Sequence, residues 1–243
     1  MTDLARSRLN DIFSPDHRKQ RIENAPWVRD TFSWLRKEKA DMVHAACWYT
    51  MANRIPGDFL EFGVWEGLTI VEAYYAIRQL SLGMKLHAFD SFEGLPAPRP
   101  EDNDTLLAKG MFYTPQQVFE SNLDAAGVDR SRVTTTPGFF ETSLTPERAG
   151  AIGLKQAAVT WIDCDLYHST VSVLNFVEPL LSDGGIVIFD DWFAYCGRPD
   201  RGERAACEEW LARNPSISLL PYRTFQAAGQ SFIVHRKRAS AAR

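Results

Sequence analysis

No apolar run in this 243-residue chain reaches the roughly 18–20 residues that a membrane-spanning helix needs. The opening residues, Met1-Thr2-Asp3-Leu4-Ala5-Arg6, lack the apolar core of a secretion signal. A cytoplasmic protein with no membrane partner is therefore expected. Cysteine is sparse. Cys47, Cys164, Cys196 and Cys207 show no metal-type pair spacing, and a chain of this size needs no disulfide staples. Excess positive charge is lacking too: 27 Lys+Arg against 31 Asp+Glu give a formal charge of −4, which argues against nucleic-acid binding. The basic stretch His235-Arg236-Lys237-Arg238 reads as a solvated end. There are no internal repeats and no low-complexity segment. What remains, 45% hydrophobic and 24% charged residues, is the composition of one globular domain.

The pattern present is a strand–helix alternation. Strands are predicted near 58–63, 85–90, 132–136, 157–163 and 185–190. Helices are predicted near 67–81, 115–126, 144–151, 168–182 and 202–213, after an opening helix over 31–53. Such alternation predicts an α/β fold with a doubly wound, mostly parallel sheet. Ser216–Tyr222 and Gln230–His235 predict an antiparallel C-terminal hairpin that brings the sheet to seven strands. Residues 1–55 read as an N-terminal arm and helix, serving as a lid or oligomerisation element, and 56–243 as the main domain. The stretch 91–113, with Pro96, Pro98 and Pro100, is long for a connection and reads as a functional loop.

Two carboxylate clusters, Asp163-Cys164-Asp165 and Asp190-Asp191, follow the apolar runs Ala158–Ile162 and Gly185–Phe189. If these runs are neighbouring parallel strands, the carboxylates converge at one sheet edge. Two such charges 4 Å apart repel by about 4 kcal/mol at an effective dielectric of 20. A divalent cation removes that repulsion, so the cluster reads as a Mg²⁺ site, with Mn²⁺ as a substitute. Asp165 lies two residues beyond Asp163 and faces the same side of an extended chain. It is a candidate proton acceptor, or else the cap of the helix starting near Tyr167, since Asp is a favoured N-cap. His168 reads as an exposed helix residue and is the next candidate base.

At the first strand end, Glu61 is an odd core residue, because a lone carboxylate is costly to bury. Opposite a cationic ligand it makes sense. Gly63 and Gly67 let backbone approach a ligand at the strand-to-helix turn, but the third glycine of a dinucleotide fingerprint is absent. Asp90, ending the second strand, is placed to meet ribose hydroxyls. Trp65 and Phe92 are candidates to flank a cation. Trp192, Phe193, Tyr195, Tyr222 and Phe225 are candidate walls of an acceptor pocket.

Together these features look like a class I S-adenosylmethionine-dependent methyltransferase. More specifically, Glu61-Phe62-Gly63-Val64-Trp65, Phe89-Asp90-Ser91-Phe92-Glu93-Gly94-Leu95-Pro96, Asp163-Cys164-Asp165-Leu166-Tyr167-His168-Ser169-Thr170 and Asp190-Asp191 resemble the macrocin and mycinamicin sugar O-methyltransferases. The resemblance spans about Pro56 to Val234. It implies a Rossmann-like methyltransferase domain, S-adenosylmethionine and Mg²⁺ as cofactors, and a small-molecule glycoside as acceptor. It implies cofactor contacts from Glu61, Gly63, Val64, Trp65, Gly67, Thr69, Asp90, Ser91, Phe92, Gly138, Phe139 and Asp163. It matches Asp163, Asp190 and Asp191 to the metal ligands and Asp165 to the general base, and it makes a homo-oligomer an expectation. Glu66 and Leu68 depart from the family, which usually has a basic residue and a glycine there. A catechol-type phenolic O-methyltransferase and a non-catalytic cofactor-binding subunit are the alternatives.

Overall fold

Five short strands run parallel: β1 (Asp58–Phe62), β2 (Leu86–Asp90), β3 (Val133–Pro137), β4 (Ala157–Ile162) and β5 (Leu181–Phe189), with β3, Val-Thr-Thr-Thr-Pro, the polar edge. The structure, a computed structural model, describes residues 26–102 and 106–237, with side chains from residue 35 onward. Residues 1–25 of the expected arm and the end of the basic tail lie outside it. The hairpin strands β6 (Ile217–Phe225) and β7 (Gly229–Arg236) complete a seven-stranded sheet in the order β3-β2-β1-β4-β5-β7-β6. β7 runs antiparallel to β5 and to β6.

The helices are α1 (Pro26–Ala52), α2 (Leu68–Gln79), α3 (Gln116–Ala125), α4 (Phe140–Ser143), α5 (Pro146–Ala151), α6 (Tyr167–Val177) and α7 (Gly202–Arg213). They cover both sheet faces, so strand residues alternate between two cores. Phe59, Val159, Trp161 and Ile188 pack with Met42, Val43 and Ala46 of α1 and Ile70 and Ala73 of α2. Leu60, Phe62, Ile162 and Phe189 pack with Val173 and Leu174 of α6 and Trp210 of α7. Among the described residues no helix is long and apolar enough to cross a membrane.

Several boundaries differ from expectation: the opening helix begins at Pro26 and not near 31, and β6 runs on to Phe225. The helix predicted over 144–151 starts at Pro146, because Thr145 is extended and accepts from the Arg148 N–H at 3.2 Å as its N-cap; the separate short helix Phe140–Ser143 precedes it. The helix predicted over 168–182 stops at Val177, and β5 begins at Leu181. The chain passes Gly184 at φ +82°, with a register shift beside Ala157, before the main β5 run.

Register decides what the strands deliver. Phe62 pairs with Ile162, and Ile162 with Phe189. The ladder continues one residue further: Gly63 N donates to Phe89 O, Asp163 N to Phe62 O and Asp190 N to Ile162 O, each at 2.9 Å. Gly63, Asp163 and Asp190 therefore leave the sheet side by side at its carboxyl edge.

Candidate active site

A cavity of about 560 Å³ lies over that edge, within the range of ligand pockets and where open α/β sheets bind ligands. Of the sequence-derived candidates, Glu61, Gly63, Val64, Trp65, Gly67, Thr69, Asp90, Ser91, Phe139, Asp163, Asp165, Asp190 and Asp191 line it. Phe92 and Gly138 are not among its lining residues. Phe92 is buried against Phe119, ring centroids 5.5 Å apart, and Gly138 donates its N–H to Asp90 O at 2.9 Å.

At the β1 end the backbone approaches the neighbouring turn as closely as glycine allows. Gly63 has φ +87°, and a Cβ there would lie 1.9 Å from Asp163 O. Asp90 organises this turn. Its Oδ2 accepts from Val64 N at 2.8 Å and Trp65 N at 3.2 Å, and its Oδ1 from Phe92 N at 2.7 Å. Burial pushes the Asp90 carboxyl up, and these backbone donors pull against it. Glu61 is 1% exposed and its Oε2 has no hydrogen-bond partner among the described residues. Burial, then the nearby Asp163 charge, holds its carboxyl well above the usual range. Trp65 meets Phe112 edge-on at 5.9 Å.

At the β4 and β5 ends, Asp163, Asp165 and Asp191 each offer an oxygen within 4.8 Å of the others. Of the expected metal trio, Asp163 and Asp191 are thus together, with Asp165 as the third member. Asp190 turns to Lys39 Nζ at 2.9 Å and accepts from Gln226 Nε2 at 3.2 Å. Lys39 also donates to Asp163 Oδ2 at 2.8 Å. Burial works against the Lys39 charge, but Asp163 and Asp190 outweigh it and hold the ammonium well above its usual range. Burial and repulsion from Asp163 push Asp165 up to about 8 and Asp190 up to about 6. Burial, then Asp165, raises Asp191 as well. Glu203, fully buried in the first turn of α7, joins the two carboxylate turns. Its Oε1 accepts from Cys164 N at 3.1 Å and its Oε2 from Asp191 N at 3.0 Å.

Two readings of the α6 region are corrected. Asp165 does not cap α6; Leu166 holds the N-cap position and makes no side-chain cap. Asp165 instead sits at φ +59°, a sparsely allowed region for a residue with a Cβ. The cap comes from Asp102, 65 residues away, whose Oδ1 accepts from Tyr167 N at 2.7 Å. His168 is not exposed. It is buried on the cavity wall, with Nδ1 3.5 Å from Asp102 Oδ2, because the loop carrying Asp102 folds over it. The aromatic walls differ too. Phe225 packs on Trp161 in the core, Trp192 on Phe232 and Tyr222 on Tyr49. None of the five proposed walls lines the cavity; Leu35, Phe112 and Phe140 do.

Sequence reasoning missed Lys39, Glu203 and Asp102. Lys39 lies in the charged run Arg36-Lys37-Glu38-Lys39, and Glu203 in Gly202-Glu203-Arg204, where both look like surface residues. The only signal for Asp102 was the length of its loop.

The sheet order, the glycine turn after β1 and the acidic strand ends define the fold of the class I S-adenosylmethionine-dependent methyltransferases. Within that class the chain belongs to the macrocin-O-methyltransferase (TylF) family, whose model matches residues 3–207. It is 27% identical over 179 residues to the 8-demethyl-8-(2,3-dimethoxy-alpha-L-rhamnosyl)-tetracenomycin-C 4'-O-methyltransferase of Streptomyces olivaceus, covering 71% of this chain and 67% of that one. It is 26% identical over 151 residues to the mycinamicin III 3''-O-methyltransferase of Micromonospora griseorubida, covering 58% of each. Among solved structures, the O-methyltransferase NovP superposes with a TM-score of 0.70 at 23% identity, covering 82% of this chain and 80% of that one, which shows a shared fold.

Proposed function

We propose that this protein moves the methyl group of S-adenosylmethionine to a hydroxyl of a sugar on a small-molecule natural product, with Mg²⁺ at the acidic end of the cavity and Mn²⁺ as a substitute. One observation carries this reading. A single cavity holds both Glu61, whose buried oxygen lacks a partner among the described residues, and the Asp163–Asp165–Asp191 cluster. The first suits a cationic organic ligand and the second a hard divalent ion. Relatives acting on a rhamnosyl tetracenomycin and on mycinamicin III, by their names, support the sugar.

Each residue then has a task. Glu61 Oε2 accepts the cationic amino group of the cofactor. Asp90 uses three of its roughly four acceptor sites on backbone N–H groups and keeps one for a ribose hydroxyl. Trp65 would offer a ring to the sulfonium, and Phe139 and Phe140, on the same cavity wall, would meet the adenine. Asp163 and Asp191 would hold the ion, with Asp190 joining them once it turns from Lys39. When bound, cofactor and ion together supply an electrophilic methyl group and a more acidic hydroxyl. Asp165, beside Asp163 and Asp191, takes the hydroxyl proton on a carboxylate oxygen. Leu35 and Phe112, apolar residues of the cavity wall, would shield the reacting end from water.

Calorimetry with S-adenosylhomocysteine in the presence of Mg²⁺ tests the cofactor half. Binding by the wild type, weakened by about 1–3 kcal/mol in Glu61→Gln, is expected. No detectable binding by the wild type would remove the proposal.

A further inference from the structure

Lys39 reaches the acidic wall from α1, an element outside the strand–helix alternation. Its ammonium lies 2.8 Å from Asp163 Oδ2 and 2.9 Å from Asp190 Oδ2, its side chain is 19% exposed, and it stands 5.9 Å over the Trp161 ring. Asp163 is the pivotal group. It is one of the two carboxylates that hold Lys39, and one of the three whose oxygens lie within 4.8 Å of one another. An ion held by Asp163 and Asp190 would need the oxygens that Lys39 now engages. An ion held by Asp163, Asp165 and Asp191 would share Asp163 with a positive charge that repels it. The same α1 places Leu35 and Arg36 at the cavity, one turn before Lys39.

We propose that Lys39 is a tethered counter-ion that competes with the divalent cation for Asp163 and Asp190, so that metal loading releases Lys39 and loosens the cavity end of α1. This rests on the metal part of the function proposed above. Without metal, the ammonium offsets the mutual repulsion of Asp163, Asp165, Asp190 and Asp191 and keeps the two strand-end turns together. With metal, the ion takes over that work. Asp190 becomes free to turn toward the ion, and the helix segment that carries Leu35 and Arg36 gains room to adjust to an acceptor. The affinity for metal is set lower than the carboxylates alone would give, because part of the ion's binding energy is spent on expelling the lysine.

The test uses the full chain and Mn²⁺ as the probe, followed by electron paramagnetic resonance and calorimetry, on the wild type, Lys39→Met and Lys39→Arg. Lys39→Met should bind Mn²⁺ at least about tenfold more tightly, while Lys39→Arg, which keeps the charge, should stay near the wild type. Metal-free Lys39→Met should melt below the metal-free wild type, and saturating Mn²⁺ should raise its Tm by more than it raises the wild type's. In the wild type itself, amide hydrogen exchange over residues 35–42 should quicken on Mn²⁺ binding, a readout that needs no variant. Equal or weaker Mn²⁺ binding by Lys39→Met, or unchanged exchange in the saturated wild type, overturns the competition and leaves the metal site standing. Failure of all three proteins to bind Mn²⁺ overturns the metal site and the competition together.

Discussion

Replacing Glu203 should damage the site without touching any residue that meets a ligand. Its carboxylate spans the two turns that carry the acidic cluster, taking Cys164 N at 3.1 Å and Asp191 N at 3.0 Å, in a fully buried position. A hydrogen bond to a charged acceptor contributes about 1.5–3 kcal/mol, and a buried donor left unpaired costs about 1–3 kcal/mol. Glu203→Gln keeps one acceptor oxygen and points an NH₂ group at the other backbone N–H. One bond is lost, while removing a buried charge near Asp163 and Asp190 returns part of that loss. The expected net destabilisation is about 1–3 kcal/mol for Gln, and about 2–5 kcal/mol for Ala, which strands both donors. Urea unfolding of the metal-free protein at unchanged m-value measures it. Since the turns would no longer be tied, Mn²⁺ affinity should fall in both variants, by about tenfold for an added cost near 1.4 kcal/mol. If Gln and Ala variants keep both the wild-type stability and its Mn²⁺ affinity, Glu203 does not tie the turns and the reasoning fails.

Other expectations follow from the same geometry. Asp165→Asn should fold and bind S-adenosylhomocysteine yet lose at least about 100-fold in kcat, as removal of a general base does; a rate per folded molecule near the wild type's would move that role to His168. Asp190 and Asp165, held near about 6 and about 8, lie above the roughly 3.9 of an unfolded Asp. The folded, metal-free protein thus keeps protons that the unfolded chain gives up, so their contribution to stability is complete below about pH 4 and is lost as pH rises through about 6 and then 8. Metal-free Tm should therefore fall between pH 5 and 8, saturating Mn²⁺ should flatten the curve, and a pH-independent metal-free Tm would count against the charge cluster. Gly63→Ala would set a Cβ 1.9 Å from Asp163 O at a positive φ and should cost about 2–4 kcal/mol. Gly83→Ala, with nothing within 4 Å of the added atom, is the control and should be nearly neutral.

The sheet was legible because burial on both faces makes its central strands near-continuous apolar runs, as in Ala157–Ile162, with every residue buried. The sites at strand ends were legible for the same reason: once β4 and β5 are neighbours, Asp163 and Asp190 must leave side by side. What sequence could not show were contacts between elements far apart in the chain. Lys39 meets Asp163 across 124 residues, and Glu203 meets Cys164 across 39. No local pattern marks either residue, since a lysine and a glutamate on a helix ordinarily face water. Asp102 took the capping role that local spacing offered to Asp165, and by covering His168 it undid the expectation of an exposed imidazole. Phe225, Trp192 and Tyr222 followed the hydrophobic effect onto the two cores, Phe193 stays exposed and Tyr195 donates to Asp165 O, so the cavity took apolar wall residues from elsewhere, Leu35, Phe112 and Phe140 among them.

The central claim is metal-dependent methylation of a sugar hydroxyl. Mass spectrometry of products formed from S-adenosylmethionine carrying a deuterated methyl group tests it most directly, using matched panels of glycosides and catechols, with EDTA and then with Mg²⁺ restored. A labelled methyl group on a glycoside hydroxyl, lost in EDTA and regained with Mg²⁺, is expected. Labelling that persists in exhaustively chelated enzyme, or that falls on catechols alone, would contradict it.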